Sequence, residues 1–456
     1  MTEPVENERP IRTRTAALLA IASMVGTGVF ASSGLLLADL HSVPAVLLAW
    51  AAGGILAVCG ALSYAELVAA LPKNGGEYHL LGTVYHPALG FASGLVSFVV
   101  GFVAANAACA LAFGEFLRAA WPELAEGLGW ASLHKSLAPV EAPPIAFETV
   151  SALALLVVMT ILHAARPGAG RVTQDLLTVV KLVLIAAFIV MGLGSVDPAR
   201  LAYSERPLWD ACLSPAFAVA LVYVSFSYSG WNAAAYVAGE LRDPERSVPR
   251  ALLGGTLVVV VLYVALNAVF LGGAPAAELT GQIEVAHIAA EHLFGDGAAR
   301  GLSAIIAWGL VSTVGALTLT GARVLDAMGR DHGPLALLAR RAAGGPTSAV
   351  LLSGVGSCAL ALTSSFANLL EYIGFTLSVF AWLTVLGVFV LRWRRPDLAR
   401  PYHVWGYPLT PALFVLGTGW MIVWSVKADP RVPLAGCATI LAGALVYGFV
   451  KRASPA

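Results

Sequence analysis

Twelve apolar runs follow one another along this chain, separated by short stretches rich in charge, proline or glycine. They cover residues 15–38, 43–70, 88–120, 144–164, 172–193, 211–240, 249–272, 298–328, 347–363, 368–391, 408–426 and 432–450. A helix needs about 20 mostly apolar residues to cross a bilayer. The succession therefore predicts an all-α polytopic membrane protein with twelve transmembrane helices, here called spans 1–12. The charge content agrees. Only 12% of the 456 residues are charged and 58% are hydrophobic, against roughly 25% charged in a soluble domain. That excludes a soluble enzyme and a disordered chain. The 27 basic and 27 acidic residues cancel, so no basic field exists to hold nucleic acid.

An even number of spans puts both termini on one side. With the N-terminus in the cytoplasm, nineteen Lys and Arg fall in inner segments and seven in outer ones, and Lys181 is left inside a span. The positive-inside rule is then satisfied, with both termini cytoplasmic and the chain in the cytoplasmic (inner) membrane. The polar segment 1–14 lacks the n-region, apolar core and small-residue cleavage site of a signal peptide, so the first run reads as a retained span. The cysteines, Cys59, Cys109, Cys212, Cys358 and Cys437, are odd in number and far apart in sequence. They form neither a disulfide framework nor a metal-ligand spacing and read as small packing residues. No cofactor is expected.

Two spans are unusual. Span 1 reads LLAIASMVGTGVFASSGLLL, with Gly26, Gly28 and Gly34 in its middle. Span 6 reads ALVYVSFSYSGWNAAAYVAG, with Ser225, Ser227, Ser229, Gly230 and Asn232 in its middle. Glycine weakens a helix, and Ser or Asn bonds locally to freed backbone. Small residues also serve close helix packing, so neither span alone is decisive. The pair says more. The two interruptions lie five spans apart, an odd number, so the second block sits inverted in the membrane. Corresponding interrupted helices in inverted halves point to a transporter's substrate site. The expected organisation is a cytoplasmic tail (1–14), a first five-helix repeat (15–193), an inverted second repeat (211–391), and two appended helices (408–450).

Several stretches resemble the amino acid–polyamine–organocation superfamily, most closely the L-type amino acid transporter branch and its bacterial homologues. VGTGVF (25–30) resembles that family's first-helix GSGIF motif, with Thr27 for Ser and Val29 for Ile. SYAELVAALPKNGGEYHLL (63–81) resembles its second helix and following loop, and FSYSGWNAAAYVAGELRDPERSVPRAL (226–252) its sixth helix and loop. ARVLDAMGRDHGPL (322–335) resembles the end of the eighth helix, and RPYHVWGYPLTPALF (400–414) the loop before the eleventh. The five keep the family's order and spacing.

The resemblance implies a secondary transporter of amino acids working by alternating access. Burying a bare charge is very costly, so a dry site must satisfy both charges of a zwitterion. A half-helix N-terminus suits the α-carboxylate. In span 1 its donors would be the backbone of Thr27, Gly28 and Val29, with Gly26 allowing close approach. The α-ammonium would take carbonyls from Phe226, Ser227 and Ser229, with Met24 adding one. Phe226 matches the family's aromatic outer gate. Asn232 stands where cation-selective relatives place an acid, so a neutral amino acid is the expected substrate. Asn106 and Leu317 are further lining candidates; for Asn106, an interhelical hydrogen bond is the competing reading.

Lys181 is the one basic residue deep in a span, nine residues or ~13 Å from its start at 172. An intramembrane lysine is a functional candidate, against snorkelling to the interface. The resemblance implies that it bonds the span 1 break and span 8, with Ser312 and Thr313 as partners, where sodium-coupled relatives hold sodium. Transport would then be sodium-independent exchange or facilitated diffusion, with proton-coupled symport as the alternative. The acids Glu66, Glu115, Asp175, Glu240, Asp326 and Glu371 read as interfacial or paired with arginine, with Glu66 and Glu240 candidates for an inner gate. His163 and His403 receive no role. A membrane-embedded enzyme would need paired carboxylates, a Ser/His pair or a metal cluster, and a channel rings of charge or carbonyl loops; neither pattern is seen. Residues 121–143 lack the cysteine by which animal L-type transporters link an ancillary glycoprotein. The expected partners are therefore amino acid and lipid, with no disulfide-linked subunit.

Overall fold

The computed structural model describes residues 12–73, 75–127, 146–165, 171–236, 238, 241–331, 333–339 and 347–453. Among them there is no strand; the one β-contact is an isolated bridge between Ser42 and Ser204. Nine helices of the described residues are long and apolar enough to cross a membrane. Three shorter apolar helices, Val180–Leu193, Pro215–Tyr228 and Thr347–Thr363, lie in the fifth, sixth and ninth runs. The chain is a multi-pass helical membrane protein.

Several spans start where a capping side chain is followed by proline. Ser42 accepts the Ala45 N–H at 3.4 Å ahead of Pro44, and Ser214 that of Phe217 at 3.3 Å ahead of Pro215. His86 Nδ1 accepts the Ala88 N–H at 3.1 Å ahead of Pro87. The side chain satisfies a donor that the first turn leaves free, and proline needs none there. Span 7 begins earlier than its apolar pattern indicates, at Pro244 rather than 249. Proline at the first helical position and Glu245 in the first turn favour a helix start, so most of the polar RDPERSVPR stretch is helical. Span 3 carries a π-helical segment, Ser97–Ala104, between the α-helices Pro87–Val96 and Ala105–Ala120.

Spans 1, 2, 6 and 7 pack together, span 10 covers span 6, and span 3 lies against spans 4 and 8. The connection after span 5 folds onto the start of span 2, and the one after span 7 onto the far half of span 1. Val43 N–H donates to Tyr203 O at 2.9 Å, and Gly281 N–H to Gly34 O at 2.8 Å. At the periphery, span 12 leaves Leu434, Leu441, Leu445 and Phe449 exposed, an apolar face for lipid.

The acidic residues follow the expected pairing with one exception. Glu66 is buried and takes two hydrogen bonds from Arg392 at 2.8 and 2.7 Å, plus the Val404 N–H at 2.6 Å. Arg118 bridges Glu115, Glu148 and Glu284, and Arg330 pairs with Asp326 at 2.7 Å. Glu371 has no arginine partner among the described residues; it accepts from the Ser425 hydroxyl at 3.3 Å. Glu240 and the side chain of Asp175 lie outside the described residues, as does most of the 121–143 connection.

Candidate functional site

Span 1 breaks where glycine and threonine replace its helix formers. The helix Thr13–Met24 stops, and a single turn, Gly28–Ala31, resumes three residues later. Gly26 N–H turns back to Met24 O at 2.8 Å, and Phe30 N–H takes Thr27 O at 3.1 Å. The N–H groups of Thr27, Gly28 and Val29 are left without a backbone partner among the described residues. These are the free donors of a helix N-terminus.

Span 6 breaks at Ser229, which is extended (φ −54°, ψ 138°), and Gly230, at φ +103°. That φ belongs to glycine, because a side chain there is strained. The helix resumes at Ala233–Tyr236. Ser229 N–H bonds Phe226 O at 2.9 Å, one residue short of its α-helical acceptor, so the Ser225 carbonyl is also released. Of the three carbonyls expected to be free, Phe226 already accepts from Ser229, and Ser227 accepts from the Tyr263 hydroxyl at 3.2 Å. The Ser229 carbonyl has no partner among the described residues.

The two breaks interlock. A Cβ on Gly28 would stand 2.7 Å from the Ser227 Cα, and one on Gly230 would stand 2.8 Å from the Ser23 carbonyl carbon. Ser32 Oγ donates to Gly28 O at 2.5 Å and lies 3.4 Å from Ser227 Oγ. Beside Gly26, where the carboxylate was expected to approach, the space is open: the nearest atom to an added Cβ is Met24 O, at 3.8 Å. The tight contact is at Gly28, because Gly28 faces span 6.

Tyr263 of span 7 ties the crossing together. Its buried hydroxyl lies 2.6 Å from Met24 O and 3.2 Å from Ser227 O, bridging the last carbonyl before one break to a carbonyl beside the other. Trp50 and Tyr228 pack on it with ring centroids 5.5 and 5.0 Å away. Sequence reading missed Tyr263, because a tyrosine inside VVVLYVALNAVF has no local mark of its two carbonyl partners. Its one signal is a hydroxyl buried in an apolar run, which must find an acceptor.

Lys181 donates to the carbonyl of Val25, inside the span 1 break. The expected bond to span 8 is not formed. Thr313 bonds its own helix at Gly309 O, 3.1 Å away, and Ser312 makes no hydrogen bond to Lys181. Thr313, Gly26, Phe30 and Gly309 instead line one small cavity with the lysine. Asn106 is fully buried and donates to Thr318 Oγ1 of span 8 at 2.7 Å, while its Oδ1 has no partner among the described residues. Thr27 Oγ1 lies 3.7 Å from Cys109 Sγ, one turn further along span 3. Phe226 and Leu317 are half-buried against the main core. Asn232 differs from expectation. Its amide donates to Glu77 in the loop after span 2, because the glycine turn at 230 aims the chain that way.

Two broken helices crossing at their breaks within a polytopic helical bundle define a secondary transporter. The chain belongs to the amino acid permease family, whose model matches residues 11–448. It is 28% identical over 449 residues to "Large neutral amino acids transporter small subunit 2" of Homo sapiens, covering 95% of this chain and 78% of that one. It is 27% identical over 446 residues to "b(0,+)-type amino acid transporter 1" of Mus musculus, covering 95% and 85%. The protein is an amino acid transporter and not an enzyme.

Proposed function

We propose that this chain moves neutral L-amino acids across the cytoplasmic membrane by alternating access, without sodium, as an exchanger or facilitator. The observation that carries this reading is the crossing of the breaks. The unpartnered N–H groups of Thr27, Gly28 and Val29 suit a carboxylate, and the released carbonyls of Ser225 and Ser229, with Phe226, Ser227 and Met24 beside them, suit an ammonium. The neighbouring side chains Thr27, Asn106, Cys109, Thr318 and Leu317 are uncharged, and none would pair a cationic substrate. Lys181 on the Val25 carbonyl puts a positive charge at the break, and like-charge repulsion opposes sodium there. The basic residues favour cytoplasmic termini, with repeats at 15–193 and 211–391 and helices at 408–450 appended. One relative is named for large neutral amino acids, in keeping with an uncharged pocket. Its name also makes it a small subunit; for this chain, the cysteine-free stretch 121–143 supports transport without a disulfide-linked partner. A proton-coupled cycle is the second reading, favoured by Glu371, a buried carboxylate whose partner is a single hydroxyl.

The test is flux of labelled alanine into proteoliposomes holding this chain alone. Uptake should rise with internal amino acid, persist when choline replaces sodium, and show no concentrative phase under an inward proton gradient. Uptake lost in choline, driven by the proton gradient, or dependent on a second polypeptide would contradict the corresponding part of the proposal.

A further inference from the structure

The loop after span 2 carries a buried carboxylate that the crossing does not use. Glu77 opens the helix Glu77–Val84 and is 6% exposed. The loop lies unusually close to the second half of span 6. Gly75 N–H donates to Tyr236 O at 3.3 Å, and a Cβ on Gly76, at φ +52°, would meet the Tyr236 ring at 2.8 Å. Into the Glu77 carboxylate point the Tyr64 hydroxyl of span 2, at 2.9 Å, the Asn232 amide from the span 6 break, and the Tyr236 hydroxyl one turn beyond. Trp231 packs edge-on against Tyr64, with centroids 4.7 Å apart. Among the described residues no ion pair reaches Glu77; its hydrogen-bond partners are these three neutral donors. A carboxylate buried without a cation needs such donors, and hydrogen bonds to a charged group are the strong ones.

We infer that Glu77 is the latch of the cytoplasmic pathway. It clasps the second half of span 6 to span 2 and to the loop that follows span 2, and it must let go before that half swings away to release amino acid inward. The inference rests on the proposed alternating access and on the sidedness set by the basic residues. The clasp joins three elements through one carboxylate, so it opens as a unit. Its partners are neutral, so water can replace them around Glu77 as the seam parts, and no second ion has to be supplied. Asn232 thereby gains a role that its pocket-facing reading did not contain: it carries the state of the break to the loop.

The test uses the full chain with its five native cysteines replaced by alanine and a single reporter, Ala235→Cys, in the second half of span 6. Ala235 is 1% exposed and its segment packs against spans 1 and 7. An impermeant maleimide is added from the cytoplasmic side. Glu77→Gln and Tyr236→Phe should each raise the labelling rate about tenfold, as expected for losing a charge-assisted hydrogen bond. A control reporter, Ala152→Cys, is equally buried in span 4 and should stay unlabelled in both variants. No rise at 235, or an equal rise at 152, would overturn the latch; the second outcome would mean general loosening. If Glu77→Gln does not fold, Tyr236→Phe still decides. Alanine binding is measured in parallel. Its absence from the wild type would sink the proposed substrate while leaving the labelling ratio readable, and labelling from the opposite face would overturn the sidedness.

Discussion

Gly28→Ala should abolish amino acid uptake while the protein still inserts and remains monodisperse. The added Cβ would stand 2.7 Å from the Cα of Ser227. Backbone lies on both sides of that contact, so no rotamer change relieves it, and the two breaks must separate. Overpacking of this kind costs roughly 1–3 kcal/mol in a packed core. Here the same displacement also moves the N–H groups of Thr27, Gly28 and Val29 away from the carbonyls of span 6. A positional error of about 1 Å in a binding constellation can cost ~100-fold, and a loss of at least that size is expected in proteoliposome uptake. Gly28→Val should be worse still. Gly26→Ala is the contrast: the nearest atom to its Cβ is 3.8 Å away, so its thermal stability should match the wild type. Normal uptake by Gly28→Ala would place the amino acid elsewhere.

Lys181→Ala should cut the transport rate by about 10- to 100-fold, the range expected when a hydrogen bond to a charged group is lost. The lysine reaches from span 5 to the Val25 carbonyl, which the break takes out of the helical ladder. Removing it leaves that carbonyl unpaired beside a cavity lined mostly by Leu, Ile and Phe, and burying an unpaired acceptor is costly. Rates of labelled alanine exchange, normalised to inserted protein, read the effect directly. An unchanged rate would mean that Lys181 is a packing residue with a snorkelling head, and the case for sodium independence would lose its physical basis.

The spans and their breaks were legible for a simple reason. Apolar run length is a one-dimensional property, and glycine, serine and asparagine inside such a run are local defects. The free donors of Thr27, Gly28 and Val29 follow from where the helix restarts, which the glycines mark. What was not legible is long-range. Whether Asn232 points toward substrate or toward Glu77 depends on the φ of Gly230 and on a loop that lies 155 positions away in sequence. Tyr263 and Met24 O meet across 239 positions, and nothing near either residue announces the other. The same holds for Gly28, whose glycine was read as loosening a helix when its tighter constraint is the Ser227 backbone of another span. The polar stretch before span 7 misled for a different reason. Its apolar pattern begins only at 249, yet the helix starts five residues earlier, because Pro244 stands at the first helical position, which tolerates proline without loss.

The most direct test of the central claim, that backbone groups at the crossed breaks hold both charged ends of an amino acid, is competition against labelled alanine exchange by analogues lacking one end. L-alanine should compete fully. Alanine amide lacks the carboxylate that the span 1 donors would bind, and propionate lacks the ammonium that the span 6 carbonyls would bind. Each should lose at least about a hundredfold in apparent affinity, since a site built to hydrogen-bond a substrate group rejects the analogue lacking that group by roughly 10⁴–10⁵. Competition by either analogue within a few-fold of alanine would contradict the assignment of that break.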